Sequence, residues 1–248
     1  MNTQTRTPRR IRRPPDPEAR MALVGHIREL RDRLIRAVLA LIVTTALSFL
    51  FINQLMDIFF RLLPADITLL ATRPTETFTA YFKVALTFGI VLAMPLLVYQ
   101  ALRFVAPGLT PPERRWLLLS LPLITVFFLA GALFCYFLVL PSALNFLLNF
   151  GDTARIEQKP TINEFIGFVT NFLLAVGITF ELPPVMFVLA KLGVVKVARM
   201  RGYRRYVIVI AFVVAAVITP TPDPVNQSLV ALPIYILYEL GLLFARFA

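Results

Sequence analysis

The chain holds one cysteine, one histidine and one tryptophan in 248 residues, and each scarcity removes a class of chemistry. The lone Cys135 sits among Phe134, Tyr136 and Phe137; it can form no intrachain disulfide and reads as a small buried apolar residue. His26 is far from it in sequence and is the only imidazole, so neither a thiol dyad nor a metal-ligating cluster is on offer. Ten glycines are scattered, and none forms a loop that cradles phosphate. The expectation is a protein that is no enzyme and carries no cofactor and no metal. Charge is scarce as well. Only 16% of residues are charged while 58% are hydrophobic, 22 of them Phe, which is far too apolar for one water-soluble domain of this length. A bilayer must be the solvent.

Acidic residues are the scarcer sign, 14 against 25 Lys and Arg, for a net charge of +11. The cations are not spread evenly. Twenty of the 25 fall in four segments: the stretch through Arg36 with ten, Arg103 to Arg115 with three, Lys191 to Arg205 with six, and Arg246. Segments holding the other five alternate with these, and between them lie apolar runs. That alternation is the positive-inside signature with both termini in the cytoplasm. A surplus confined to one side is explained by topology and by anionic lipid, so no nucleic-acid partner is expected.

About 20 apolar residues cross a bilayer as helix, at about 1.5 Å per residue. The uncharged runs then predict an all-α polytopic protein with six spans: 37–56, 84–102, 116–140, 165–190, 206–219 and 225–245. Pro141 is expected to end the third span and leave Ser142 to Phe150 as an amphipathic stretch at the outer surface. The fifth span is below the usual crossing length, so the bilayer is expected to thin around it or a partner to cover the mismatch. Spans five and six form a tight hairpin through Pro220 to Pro224. Residues 1–21 read as a disordered, lipid-attracted basic tail and 22–248 as the membrane domain. No cleavable secretory signal is expected, because the first apolar run begins at Ala37 and continues straight into a span. The Arg9-Arg10-Ile11-Arg12-Arg13 stretch fails as an export signal, since more than twenty residues separate it from that run.

Ionisable residues inside spans are expensive and tend to be functional. Glu181 lies about 24 Å along the helix from Phe165, followed at once by Pro183-Pro184, which free backbone carbonyls and bend the helix beside the carboxyl. Its bland alternative is a protonated acid bonded across a helix interface for packing alone. Glu239 lies nearer a helix end and is equally well read as structural. On the face that collects the cations, His26 to Leu34 forms an amphipathic helix with Glu29 and Arg33 at i,i+4. In the next loop on that face, Pro111-Pro112-Glu113 reads as a helix start with an acid in its first turn. These two acids are among only five on a face with twenty cations. Two carboxylates held apart on a scaffold would suit two guanidinium groups of a ligand.

Four motifs carry a resemblance. His26-Ile27-Arg28-Glu29-Leu30-Arg31, then Phe104-Val105-Ala106-Pro107-Gly108-Leu109 with Glu113-Arg114-Arg115, then Phe180-Glu181-Leu182-Pro183, then Thr219-Pro220-Thr221-Pro222-Asp223-Pro224 with Gln227, resemble in order the TatC family. Members are the six-span subunit of the twin-arginine translocase, and the likeness runs from about Ala22 to Phe247. In relatives Thr-Pro often stands directly before Pro-Asp, whereas here Thr221 intervenes. The resemblance implies a concave helical scaffold whose Glu29 and Glu113, with Arg31, Phe104 and Leu109 of the same motifs, bind the paired arginines of export signal peptides. It implies that Glu181, Thr219 and Gln227 form a polar patch where single-span TatA- and TatB-type subunits dock, and that Asp223 and Pro220 of the outer turn matter for activity. Further implied partners are other copies of the chain, with anionic lipids attracted by its basic segments.

The function expected is that of receptor and core subunit for export of folded proteins, driven by the proton-motive force, in a bacterial or archaeal plasma membrane. A proton-coupled small-solute transporter is the rival; it too would place an acid at depth, but would normally show inverted repeats and more polar spans. A passive scaffold would tolerate loss of both cytoplasmic acids.

Overall fold

The computed structural model describes residues 17–64, 67–149, 159–219 and 224–247. Among them the chain is helical throughout. The first half comprises α1 (Pro17–Leu50), α2 (Ile52–Phe60), α3 (Pro74–Val105), a 3-10 turn at Ala106–Gly108, α4 (Pro111–Leu119) and α5 (Leu121–Phe134). A π turn at Cys135–Val139 leads into α6 (Leu140–Asn149), followed by α7 (Ile162–Thr179), α8 (Leu182–Lys191), α9 (Val197–Gly202), α10 (Arg204–Ile218) and α11 (Pro224–Ala245). The extended pairing is one isolated bridge, Leu70 to Thr161, which ties the segment before α3 to the start of α7.

Prolines set many of these boundaries. They occupy the first turns of α3, α4, α5 and α8, where the missing N–H has no intrahelical partner to lose. Pro141 obeys the same rule, and so does not end the third span as its position suggested. The π turn widens the ladder just ahead of it, with the Leu140 N–H reaching the Cys135 carbonyl, and Pro141 enters as the second residue of α6. Leu140, Ala143, Leu144 and Leu148 then pack into the core, so this segment belongs to the bundle rather than to its surface.

Among the described residues, five helical stretches are long and apolar enough to cross a bilayer: Gly25–Leu50, Pro74–Gly108, Pro111–Leu148, Ile162–Lys191 and Gln227–Ala245. The first four are longer than the uncharged runs because helix continues past the charges that bound those runs, whereas Gln227–Ala245 falls within the run 225–245. α1 is helical from Pro17, within the stretch assigned to the tail, and stops at Leu50; Phe51, at φ −111° and ψ 18°, starts a separate α2 that buries Met56 and Phe59. The short element is α10, whose 15 residues span about 22 Å at 1.5 Å each against a hydrocarbon core of about 30 Å.

The core joins α2, α3, α6, α7, α10 and α11 around Phe59, Val84, Ile166, Val169 and Phe172, with Cys135 wholly buried among them. Packing between helices uses small residues where lipid gives no hydrophobic drive. Phe128 of α5 lies on Gly177 of α7 while Phe180, capping α7, lies on Gly131 of α5, each aromatic filling the gap left by the other helix's glycine. α1 rests mainly on α3, at Gly89. There the Thr44 hydroxyl donates to the Gly89 carbonyl at 2.8 Å, and a Cβ at 89 would stand 2.8 Å from the Thr45 Cα. Backbone cannot yield as a side chain can. Gly89→Ala is expected to lift α1 from α3 and cost about 1–3 kcal/mol; an unchanged thermal midpoint in detergent would show that the crossing is looser than this.

Candidate functional site

Cross-helix contacts define two ends of the bundle. At one end the ring of His26 stacks on Phe104 with centroids 4.4 Å apart and planes at 22°, joining the start of α1 to the end of α3. At the same end Lys191 Nζ sits 4.9 Å from the Trp116 ring centroid, and Arg204 donates to Glu239 at 2.6 Å. The hydroxyl of Tyr238 donates to the Met200 carbonyl, fastening α9 to α11. Arg28, Arg31, Arg33, Arg36, Arg103, Arg114 and Arg115 stand on these same termini, so the described members of the four basic segments gather here.

Glu29 and Glu113 belong to this end. Glu29 lies one turn after His26, its Oε2 4.0 Å from His26 Nδ1, while its Oε1 accepts from both Arg33 Nε, at 3.1 Å, and Arg33 Nη2. The pair is partly shielded, with the Arg33 side chain 16% exposed and the Glu29 side chain 31%. Arg31 is drawn to Asp32 at 2.8 Å, and its side chain is exposed. Across the His26–Phe104 stack, the 3-10 turn leads through half-buried Leu109 into α4, which packs on that turn and on the end of α3. Glu113 sits at the third position of α4, and its Oε2 accepts the Thr110 N–H at 2.7 Å. The helix start inferred from Pro111-Pro112-Glu113 is therefore present, with Thr110 as cap.

This arrangement leaves acceptor capacity. A carboxylate has about four lone-pair sites. Glu113 accepts one bond from its own helix terminus, and Glu29 commits Oε1 to Arg33. Oε2 of Glu29 and the remaining sites of Glu113 suit two further guanidinium donors, on elements joined through one aromatic stack.

The intramembrane group is only partly assembled. Glu181 occupies the break between α7 and α8, and neither of its buried carboxyl oxygens has a hydrogen-bond partner. Pro183 and Pro184, both buried, deprive the carbonyls of Thr179 and Phe180 of their usual i+4 donors. Thr219 ends α10, buried, and its hydroxyl donates to Ala215 at 2.9 Å. Gln227 on α11 donates from Nε2 to the Phe212 carbonyl at 3.2 Å, which fastens the α10–α11 hairpin. Thr219 and Gln227 thus serve one helix pair, and no hydrogen bond ties Glu181 to either of them. Pro220 and Asp223 lie outside the described residues. Glu239 accepts from Arg204 through Oε2, which ties the other end of the same hairpin, while its buried Oε1 has no hydrogen-bond partner.

Two residues gained weight only in three dimensions. His26 had been one letter of a motif; its ring is the physical link between the two acidic elements. Lys83, which stands just before the uncharged run 84–102, lies inside α3 and bonds Asn163 of α7 at 2.8 Å.

Residues 25–233 match the family model described as TatC, Sec-independent protein translocase protein. The chain belongs to the TatC family. It is 36% identical to the Sec-independent protein translocase protein TatC of Carboxydothermus hydrogenoformans over 92% of this chain and 93% of that one. With the protein of the same name from Deinococcus radiodurans it shares 38% identity, covering 95% of this chain and 90% of the other. Among solved structures, a crystal structure of the twin-arginine translocase receptor TatC aligns at TM-score 0.77 and 36% identity, covering 90% of this chain and 98% of that chain. A second, in the detergent DDM, aligns at 0.80 and 36% over 88% and 98%. This TatC-family chain is a multi-pass membrane protein and a translocase component, and the family sets aside the small-solute transporter reading.

Proposed function

We propose that this chain is the receptor and core subunit of a twin-arginine translocase, in which Glu29 and Glu113 hold the two arginines of an export signal at the cytoplasmic face. The observation that carries this reading is the His26–Phe104 stack, which joins the element bearing Glu29 to the turn leading to Glu113. The acids stand in a rim of arginines, so an approaching arginine pair meets repulsion except where a carboxylate faces it. Phe104 and Leu109 supply apolar surface beside the acids, and Arg31 follows Glu29 by two residues on α1. The signal's apolar stretch then follows the helices into the bilayer.

In this reading the arginine-rich end is cytoplasmic, both termini lie there, α10 is a sixth and short crossing, and the site is that of a plasma membrane. The exposed apolar face of α10, including Val209, Val213 and Val217, takes a single-span partner of TatA or TatB type. Glu181, Thr219 and Gln227 add polar contacts to that docking, the outer turn with Pro220 and Asp223 supports activity, and other copies of the chain complete the assembly. Energy comes from the proton-motive force.

Crosslinking tests the assignment directly. A photoreactive residue at Val105, exposed beside Phe104 and leaving both carboxylates in place, is expected to capture a synthetic signal peptide carrying Arg-Arg and to lose it when the pair becomes Lys-Lys, since lysine cannot form the bidentate fork. Equal capture of both peptides would defeat the assignment.

A further inference from the structure

The end of the bundle opposite the arginine-rich rim contains a cavity of about 480 Å³, within the roughly 300–1,000 Å³ range of ligand sites. Its walls are mostly apolar, with Leu144, Leu147 and Leu148 from α6, Phe168 from α7 and Ile218 from α10. Three polar residues of α7, Asn163, Glu164 and Asn171, interrupt them. Lys83 stands behind this wall. Its Nζ bonds Asn163 Oδ1, and it would lie 3.4 Å from a Cβ built on the cavity-lining Gly167, so glycine leaves the ammonium close to the space.

A cation inside a span is costly without a counter-charge. Lys83 is about 13 Å along α3 from Pro74, at about 1.5 Å per residue, and no carboxylate among the described residues pairs with it. Glu164 also lines the cavity, but it is exposed and its Oε2 accepts the Thr161 N–H at 3.1 Å, capping α7. Among the described residues no countercharge is supplied, and an anion in the cavity would provide one.

We propose that this cavity binds one anionic phospholipid, its phosphate beside Lys83 and an acyl chain against the α6 leucines. Apolar walls fit the chain, and the ammonium, which bonds Asn163 and pairs with no carboxylate among the described residues, fits the headgroup. A zwitterionic headgroup would bring a second cation toward Lys83, which selects for net negative charge.

Native mass spectrometry of the purified full chain in detergent, titrated with phosphatidylglycerol or phosphatidylcholine of identical chains, tests it. Wild type is expected to retain one phosphatidylglycerol about tenfold more tightly than phosphatidylcholine. Lys83→Gln should bring the two lipids to the same level, and Lys83→Arg should preserve the preference. Should Lys83→Gln not fold, Leu147→Trp, which fills the cavity away from the lysine, must displace both lipids. Equal binding of the two lipids by wild type would overturn the proposal, as would an undiminished phosphatidylglycerol adduct in Lys83→Gln or Leu147→Trp. Competition by inorganic phosphate at the same site would overturn its assignment to a lipid.

Discussion

Replacing Glu29 or Glu113 by alanine is expected to weaken capture of an Arg-Arg signal peptide by about 10- to 100-fold each, because a charge-assisted hydrogen bond contributes about 1.5–3 kcal/mol. Folding and insertion should survive. Two companions separate charge from structure. Glu113 also accepts the Thr110 N–H, so Glu113→Ala loosens the start of α4, whereas Glu113→Gln keeps an oxygen for that bond and removes only the charge. Glu113→Gln is therefore expected to fold like wild type and bind like Glu113→Ala. The second companion acts with opposite sign. Arg33 already occupies Oε1 of Glu29, so an incoming arginine competes with it, and Arg33→Gln should tighten capture a few-fold. Peptide titration by fluorescence anisotropy at two salt concentrations reads all of these, and the wild-type affinity should fall with salt because the rim is exposed. Wild-type affinity in Glu113→Gln would mean that the carboxylate serves its helix alone.

What could be read from the chain beforehand was whatever rests on composition and local spacing. The clustering of arginine marked one end of the bundle, and the i,i+4 spacing of Glu29 and Arg33 anticipated their contact. Pro111, Pro112 and Glu113 announced a helix start, since capping is decided within four residues. Other features depend on distant partners. The break at Phe51 serves the burial of Met56 and Phe59. Pro141 passes as helix because of a π turn stabilised within the bundle. Counting uncharged residues also hid Lys83: a charge standing just before an uncharged run is tolerated inside a span when Asn163 of a neighbouring helix accepts from it. Likewise, the grouping of Glu181 with Thr219 and Gln227 came from resemblance, and the fold gives the latter two to a hairpin while leaving the carboxyl without a hydrogen bond.

That isolation makes Glu181 the second site of large expected effect. A buried carboxyl whose two oxygens find no partner lowers stability, by about 1–3 kcal/mol on general grounds, so a role in packing alone would have led to a bonded group. Glu181→Leu is accordingly expected to remain inserted and to be at least as stable as wild type, since leucine removes the unmet polar atoms at similar volume. The same substitution should weaken docking of single-span partner helices by about tenfold, because a hydrogen bond formed across helices in lipid would be lost with it. Glu181→Gln, which keeps donors and an acceptor at the break, should retain most of the docking. Native gels of the chain with its partner subunits, together with thermal midpoints in detergent, distinguish the outcomes. A destabilised Glu181→Leu would mean that the carboxyl is bonded within the fold after all. An intact complex in Glu181→Leu would mean that the partner does not use it, and the cost of keeping a carboxyl at that break would then have to be met by some other contact.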